Sequence, residues 1–330
     1  MKLTHRIGHR LKAYYRLAVV REQYPMLTRL SRRELKKQGA LGAVYMLHHI
    51  APKDPMRIPI NEDLKVSPQF LEEIIQNYRK QGVDMISLDE VYERLTSENH
   101  AVRPFVAFTI DDGYLDNYVN ALPVFEKYQV PFAVFVATDF IDKKAILWWD
   151  SIEELIMTHD DIVTSDGKRF SCGTFRQRWD TFRWLRNRVL TLDQSHLQAE
   201  LDKLFEHYNV DWYEPIRRQG MSWQQVKELA HHPLCTIGGH TVTHPALNKL
   251  DADDVQREIV AGIHKIEQET GCRVHDFTYP YGTPNEIGDR EQQMVETLGL
   301  RMAFMAHQGC VTSDNRTHLT KLPRFYLMQR

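Results

Sequence analysis

The chain has 330 residues, with 42 Lys plus Arg against 44 Asp plus Glu, a formal net charge of −2 and 42% hydrophobic content. That length holds one large domain or two ordinary ones with a sizeable core, and the charge balance excludes a basic nucleic-acid binder. No apolar stretch reaches the roughly 20 residues that span a bilayer.

Residues 1–40 read as a basic arm, with eleven Lys or Arg against Glu22 and Glu34. Leu11, Tyr14, Tyr15, Ala18 and Val19 recur there at helical spacing. A basic amphipathic helix lies well on an anionic membrane face; a solvated helix packed on the domain has the same pattern. No apolar run of the secretory type is present. The four cysteines, Cys172, Cys235, Cys272 and Cys310, form no C-x-x-C pair. Both features lead us to expect reduced thiols and a cytoplasmic chain, peripheral at the inner membrane face if the arm binds lipid.

From 41 to 330 strands and helices alternate. Ala43 to Leu47 is an apolar run ending at His48-His49. Ser67-Pro68 opens a helix whose apolar face is Phe70, Leu71, Ile74, Ile75 and Tyr78. Ser87 and Glu90 have capping-box spacing for the next helix. Phe105 to Ile110 and Phe132 to Ala137 read as buried strands, Cys235 to Ile237 and Phe277 to Tyr279 as shorter ones, and Met302 to Ala306 as a late one. Asp251 caps a helix that stops at Gly271. Between about 141 and 221 the strand rhythm fails. Leu197, Leu201, Leu204 and Phe205 are spaced helically there, and Trp148, Trp149, Trp179, Trp184, Trp212 and Tyr213 are concentrated. This segment reads as a helical insertion on a parallel α/β domain, with its rings either in a core or along a sugar-binding cleft.

Two pairs of polar residues stand just past apolar runs, Asp111-Asp112 and His240…His244. In (β/α) barrels catalytic groups gather at the C-terminal strand ends. Adjacent residues leaving a strand point in different directions, so one carboxylate can bind a metal while the other faces water. The His-x-x-x-His spacing would bring two imidazoles together on a helical turn. Asp112, His240 and His244 make a three-ligand set with an open position, the pattern of a catalytic zinc site; cobalt and nickel suit the same donors.

Thr109-Ile110-Asp111-Asp112-Gly113 resembles the T-F-D-D-G motif of the NodB-type polysaccharide deacetylases. His240-Thr241-Val242-Thr243-His244 is similar to that family's H-[ST]-x-x-H, and Phe277-Thr278-Tyr279-Pro280-Tyr281-Gly282 to its R-x-P-Y motif. The resemblance covers about 41–330 outside the insertion. It implies a distorted (β/α) barrel and metal-dependent removal of N- or O-acetyl groups from glycans; peptidoglycan, chitin-like chains, a lipid-linked saccharide and a surface polysaccharide precursor all fit as the substrate. It also implies Asp111 as base and the Tyr281 N–H as an oxyanion donor. Thr278 stands where the family has Arg, so Arg324 is the candidate to orient the base. No L-x-H segment appears near the C-terminus. Leu47-His48-His49-Ile50 looks like the early-strand segment of the exopolysaccharide N-deacetylase branch, which implies His48 as general acid. His49 is the alternative, followed by His307 and His318. Two other readings use the same residues: a non-catalytic carbohydrate-binding protein, and a deformylase or other amide hydrolase acting on a sugar.

Overall fold

The structure, a computed structural model, describes residues 30–97 and 103–329. The elements that build the domain begin with α1 (Arg32–Lys37), β1 (Gly42–Leu47), α2 (Pro68–Gln81), β2 (Asp84–Met85) and α3 (Leu88–Thr96). Next come β3 (Phe105–Asp112), α4 (Leu122–Tyr128) and β4 (Phe132–Val136). The insertion supplies α5 (Trp148–Thr158), α6 (Phe175–Val189), α7 (Leu197–Leu204) and α8 (Glu214–Gln219). The chain then continues through α9 (Trp223–Ala230), β5 (Cys235–Gly239), α10 (Ala252–Thr270), β6 (Asp276–Thr278), α11 (Asp289–Thr297), β7 (Met302–Phe304) and β8 (Phe325–Tyr326).

The strands form one sheet in the order β7-β6-β5-β4-β3-β1-β8, with β2 paired to β3. Every one of these pairings is parallel, as expected of strands joined by helical crossovers. A parallel bridge from Phe304 to Leu322 leads the last segment across the gap. Phe325 then pairs with Tyr45 on β1, closing a distorted barrel. All eight residues of β3 are buried, as befits a strand covered on both faces.

Register sets the position of the site. Leu47 pairs with Ile110, Asp112 with Val136, and Val136 with Gly239. The ends of β1, β3, β4 and β5 are therefore level, and His48, Asp111, Asp112 and His240 emerge together. β3 runs two residues further than its apolar run suggests, because Asp111 and Asp112 still pair with Phe135 and Val136.

Local chemistry explains the helices. Ser67 accepts the Phe70 N–H, Pro68 fills the first turn, and Gly82 ends α2 at φ 62. A cap of this kind is worth about 1 kcal/mol. The α2 face named above is buried. Ser87 accepts the Glu90 N–H, but the capping box is half made, since the Glu90 carboxylate turns to Arg94 at 2.9 Å.

The insertion has its own core, in which Trp148, Ile152, Trp179, Phe182, Leu185 and Trp212 pack together. It also carries an antiparallel hairpin, Asp161–Val163 with Arg169–Ser171. That hairpin was not expected; its strands are three residues long and lack a clear period.

Residues 1–29, including the helical pattern from Leu11 to Val19, lie outside the described residues. α1 carries a capping box from Ser31 and Glu34. Leu30 and Leu35 are buried, and the Leu30 N–H donates to the Tyr45 hydroxyl at 3.0 Å. Among the described residues, no helix is long and apolar enough to cross a membrane, and the four cysteines are free thiols.

Candidate active site

The ligand atoms of Asp112, His240 and His244 lie within 4.8 Å of one another. Asp112 Oδ1 is 3.3 Å from His240 Nε2 and 3.4 Å from His244 Nε2. The two histidines do not share a helical turn. They are joined by a loop in which Thr241 has φ 70 and His244 φ 60. Asp112 (φ 81) and Tyr281 (φ 60) are also left-handed. Such backbone is costly for side-chain-bearing residues, above all for a β-branched one, and tends to cluster at functional sites. Gly113, at φ 102, completes the turn after the two aspartates.

The loop is held from two sides. The Thr241 hydroxyl accepts the His244 N–H at 3.1 Å. Glu258 on α10 accepts the N–H groups of Val242 and Thr243, each at 2.9 Å. The His240 ring is fixed by Thr278, whose carbonyl and hydroxyl oxygens both lie 2.7 Å from Nδ1. Donation from Nδ1–H to the carbonyl leaves the Nε2 lone pair facing Asp112, the tautomer a metal ligand needs.

These donors fit a divalent metal. Asp112 Oδ1 is buried without any hydrogen-bond donor, a costly arrangement unless a cation shares the oxygen. Burial pushes the Asp112 carboxyl up, but His240 and His244 hold it well below the usual carboxylate range. Burial pushes His244 down to about 4, so its imidazole is neutral and ready to ligate near neutral pH.

Asp111 is held by Arg324. The guanidinium Nη1 and Nη2 donate to Oδ1 and Oδ2 at 2.8 and 2.7 Å, and Nη1 also reaches the Thr109 hydroxyl at 3.0 Å. Arg324 is fully buried, and its Nε donates to the Met305 carbonyl at 3.1 Å. Burial raises the Asp111 carboxyl, yet the Arg324 charge and hydrogen bonds keep it below its ordinary value, so it is ionised at neutral pH.

His48 lines the same cavity as Asp111, Asp112, His240 and His244. Its ring stacks on Tyr326 at 5.9 Å between centroids and 8°. Its carbonyl accepts the Asn117 amide at 2.8 Å, from a short π-helical turn, Asn117–Ala121, that follows the Asp-Asp-Gly segment. Burial lowers the His48 pKa, and Asp112 and Asp111 oppose that shift. His49 faces elsewhere. Its Nδ1 bonds Asp116 at 2.8 Å, and its ring packs on Tyr114 at 3.7 Å. The cavity His49 lines contains neither Asp111 nor the ligand trio. His307 and His318 are exposed and do not line the cavity that holds Asp112, His240 and His244.

That cavity has a volume of about 120 Å³. The insertion closes one side of it with Trp148 and Trp149 from α5 and Phe182 and Arg186 from α6. Tyr281 packs against His244 at 4.8 Å, and its hydroxyl accepts the Trp148 indole N–H at 3.3 Å. Beyond Trp149 and Tyr281 opens a groove of about 560 Å³ that includes Tyr213, Asp139 and Glu258. The insertion's aromatics therefore divide: Trp179 and Trp212 belong to its core, Trp149 and Tyr213 line cavities, and Trp148 does both.

Sequence reasoning did not find Thr278 as the partner of His240, nor Glu258, Asn117 or Arg186. Thr278 drew notice only as a departure from a motif. The other three belong to helical segments with no local signal, and the tertiary fold alone brings them to the site.

Residues 98–303 match the family model described as polysaccharide deacetylase. The chain belongs to the polysaccharide deacetylase family. YxkH of Bacillus subtilis (strain 168), named as a polysaccharide deacetylase, is 27% identical over 112 residues, 34% of this chain and 37% of that protein. The aligned stretch thus spans little more than a third of that curated relative. Two solved structures share the fold. The Streptococcus pyogenes deacetylase PplD in complex with acetate superposes with a TM-score of 0.58 at 17% identity, over 87% of this chain and 92% of that one. IcaB from Ammonifex degensii gives 0.55 at 17% identity, over 88% and 92%.

Proposed function

We propose that this chain hydrolyses N-acetyl groups on a glycan or lipid-linked glycan precursor, releasing acetate and leaving the free amine. One observation carries the reading: the Asp112, His240 and His244 ligand atoms lie within 4.8 Å of one another beside Asp111, which Arg324 holds by both oxygens. Family membership supports the same chemistry.

Asp112, His240 and His244 would hold a divalent metal, zinc by its donor set, which would supply Lewis acidity and make water more acidic, towards a pKa of about 7. Asp111 is ionised and fixed in orientation, and takes the proton of the water that attacks the acetyl carbonyl. The Tyr281 N–H donates to the oxyanion that develops on that carbonyl. His48, in the protonated form that the charges of Asp112 and Asp111 favour against burial, delivers a proton to the amine nitrogen as the C–N bond breaks, because an unprotonated amine leaves poorly.

Acetate release from N-acetylated oligosaccharides by zinc-loaded protein tests the reading, with Asp111→Asn alongside. Release by wild type and not by the variant supports it. Release of formate from N-formyl sugars alone would favour the deformylase variant. Binding without any turnover, at one metal per chain, would favour a carbohydrate-binding protein. The basic residues 1–40 suit a precursor made at the inner membrane face. Recovery of the full chain entirely in the soluble fraction would count against that location.

A further inference from the structure

We propose that Arg186 is a specificity residue that binds an anionic group, phosphate or carboxylate, carried by the acetylated sugar; this rests on the deacetylase reading of the site. Arg186 lies in the last turn of α6, one helical turn after Phe182, and both line the metal cavity. Its side chain is half-buried. Among the described residues its guanidinium has no hydrogen-bond or ion-pair partner, unlike the other charged groups of the cavity wall. Arg324 is taken up by Asp111. Asp63 accepts from Lys53 at 2.8 Å, and Glu286 takes the Thr283 hydroxyl. Arg186 is therefore the uncommitted cation of the cavity among the described residues.

When a sugar enters a cavity of about 120 Å³, a guanidinium in the cavity wall gives up part of its hydration, which a neutral acetamido sugar replaces poorly. A phosphate or carboxylate oxygen replaces it well, since the planar fork of Arg matches both anions. The placement also explains why the insertion reaches the site. α6 is anchored by Trp179, Phe182 and Leu185 in the insertion core, so Arg186 is presented from a rigid element.

The test uses the zinc-loaded full chain and three probes: N-acetylglucosamine 1-phosphate, N-acetylglucosaminuronic acid and neutral methyl N-acetylglucosaminide. Binding is followed by Trp148 and Trp149 fluorescence, and acetate release is measured in parallel. Wild type is expected to bind one anionic probe about tenfold to a hundredfold more tightly than the neutral one, the range of a charge-assisted hydrogen bond. That ratio should collapse in Arg186→Met, survive in part in Arg186→Lys, and be unchanged in Arg183→Met, on the same helix outside the cavity. The preferred anion identifies the source, a glycosyl phosphate or a uronate. Equal binding of all three probes by wild type, or a ratio that persists in Arg186→Met, would overturn the proposal. Acetate release without an anion preference would overturn the Arg186 role and leave deacetylation standing. Anion-dependent binding without acetate release would support the role and count against deacetylation.

Discussion

Arg324 and Asp111 meet as a fork on a carboxylate, at 2.8 and 2.7 Å, across 213 residues of sequence. Both are almost wholly buried. The pair thus ties the segment that closes the barrel to β3, and it fixes one carboxylate beside Asp112, His240 and His244. Removing one partner leaves the other charged and unsolvated, at a cost of about 3–5 kcal/mol. We expect Arg324→Met to lower the melting temperature sharply, and Asp111→Asn/Arg324→Met to be more stable than the sum of the single effects predicts. Arg324→Lys keeps the charge and loses the fork, so kcat/KM should fall about a hundredfold with a smaller stability loss. Additive single effects in thermal denaturation would contradict the coupling.

His240 is oriented from the place where the resemblance led us to expect an arginine. Thr278 sets two oxygens at 2.7 Å from His240 Nδ1. Thr278→Val removes one of them and keeps the backbone carbonyl, so the tautomer survives with weaker support. Partners of metal ligands affect affinity by roughly 10–100-fold; the low end is expected here. Zinc competition against a chelator measures it, and an unchanged affinity would assign the orientation wholly to the backbone.

The strands that carry Asp111, Asp112 and His240 were legible because a buried parallel strand is a plain apolar run and its polar end is abrupt. Arg324 was named from a missing arginine elsewhere, not from any pattern around it. The loop from His240 to His244 was legible in composition and not in shape. A spacing of four suggests a helix, and the left-handed Thr241 and His244 are imposed by contacts that sequence does not display. The small hairpin of the insertion had too few residues to show a period. Thr278, Glu258 and Arg186 belong to the site through tertiary packing alone.

Glu258 is the contact that shapes that loop. One oxygen accepts the Val242 and Thr243 N–H groups at 2.9 Å, and the other takes the Thr243 hydroxyl at 2.9 Å. One turn further along α10, Gly262 lies so close that a Cβ would meet the Thr241 carbonyl oxygen at 2.8 Å. Glu258→Ala should loosen zinc binding about tenfold or more while thermal stability of the metal-free protein changes less. Glu258→Gln keeps an acceptor and should fall between. Gly262→Ala pushes on the same loop from below and should weaken zinc binding too. Metal affinity unchanged in both Glu258→Ala and Gly262→Ala would show that the loop keeps its shape without α10.

Asp139 gives the pH-dependent counterpart. It lies in the groove beside Glu258, and burial, followed by the charges of Glu258 and Asp142, pushes its carboxyl from 3.8 up to about 6. A folded-state pKa above the unfolded one means that the folded state binds the proton more tightly. The associated stability is fully present below about pH 4 and is lost as pH rises through about 6. Asp139→Asn mimics the protonated side chain at every pH. Its melting temperature relative to wild type should therefore rise between about pH 4 and pH 7 and level off above. Because Asp139 is partly exposed, added salt should shrink the difference. A melting-temperature difference that is flat across this range would show that Asp139 is ionised as readily in the folded chain as in the unfolded one, and one that falls with pH would show that it is ionised more readily there.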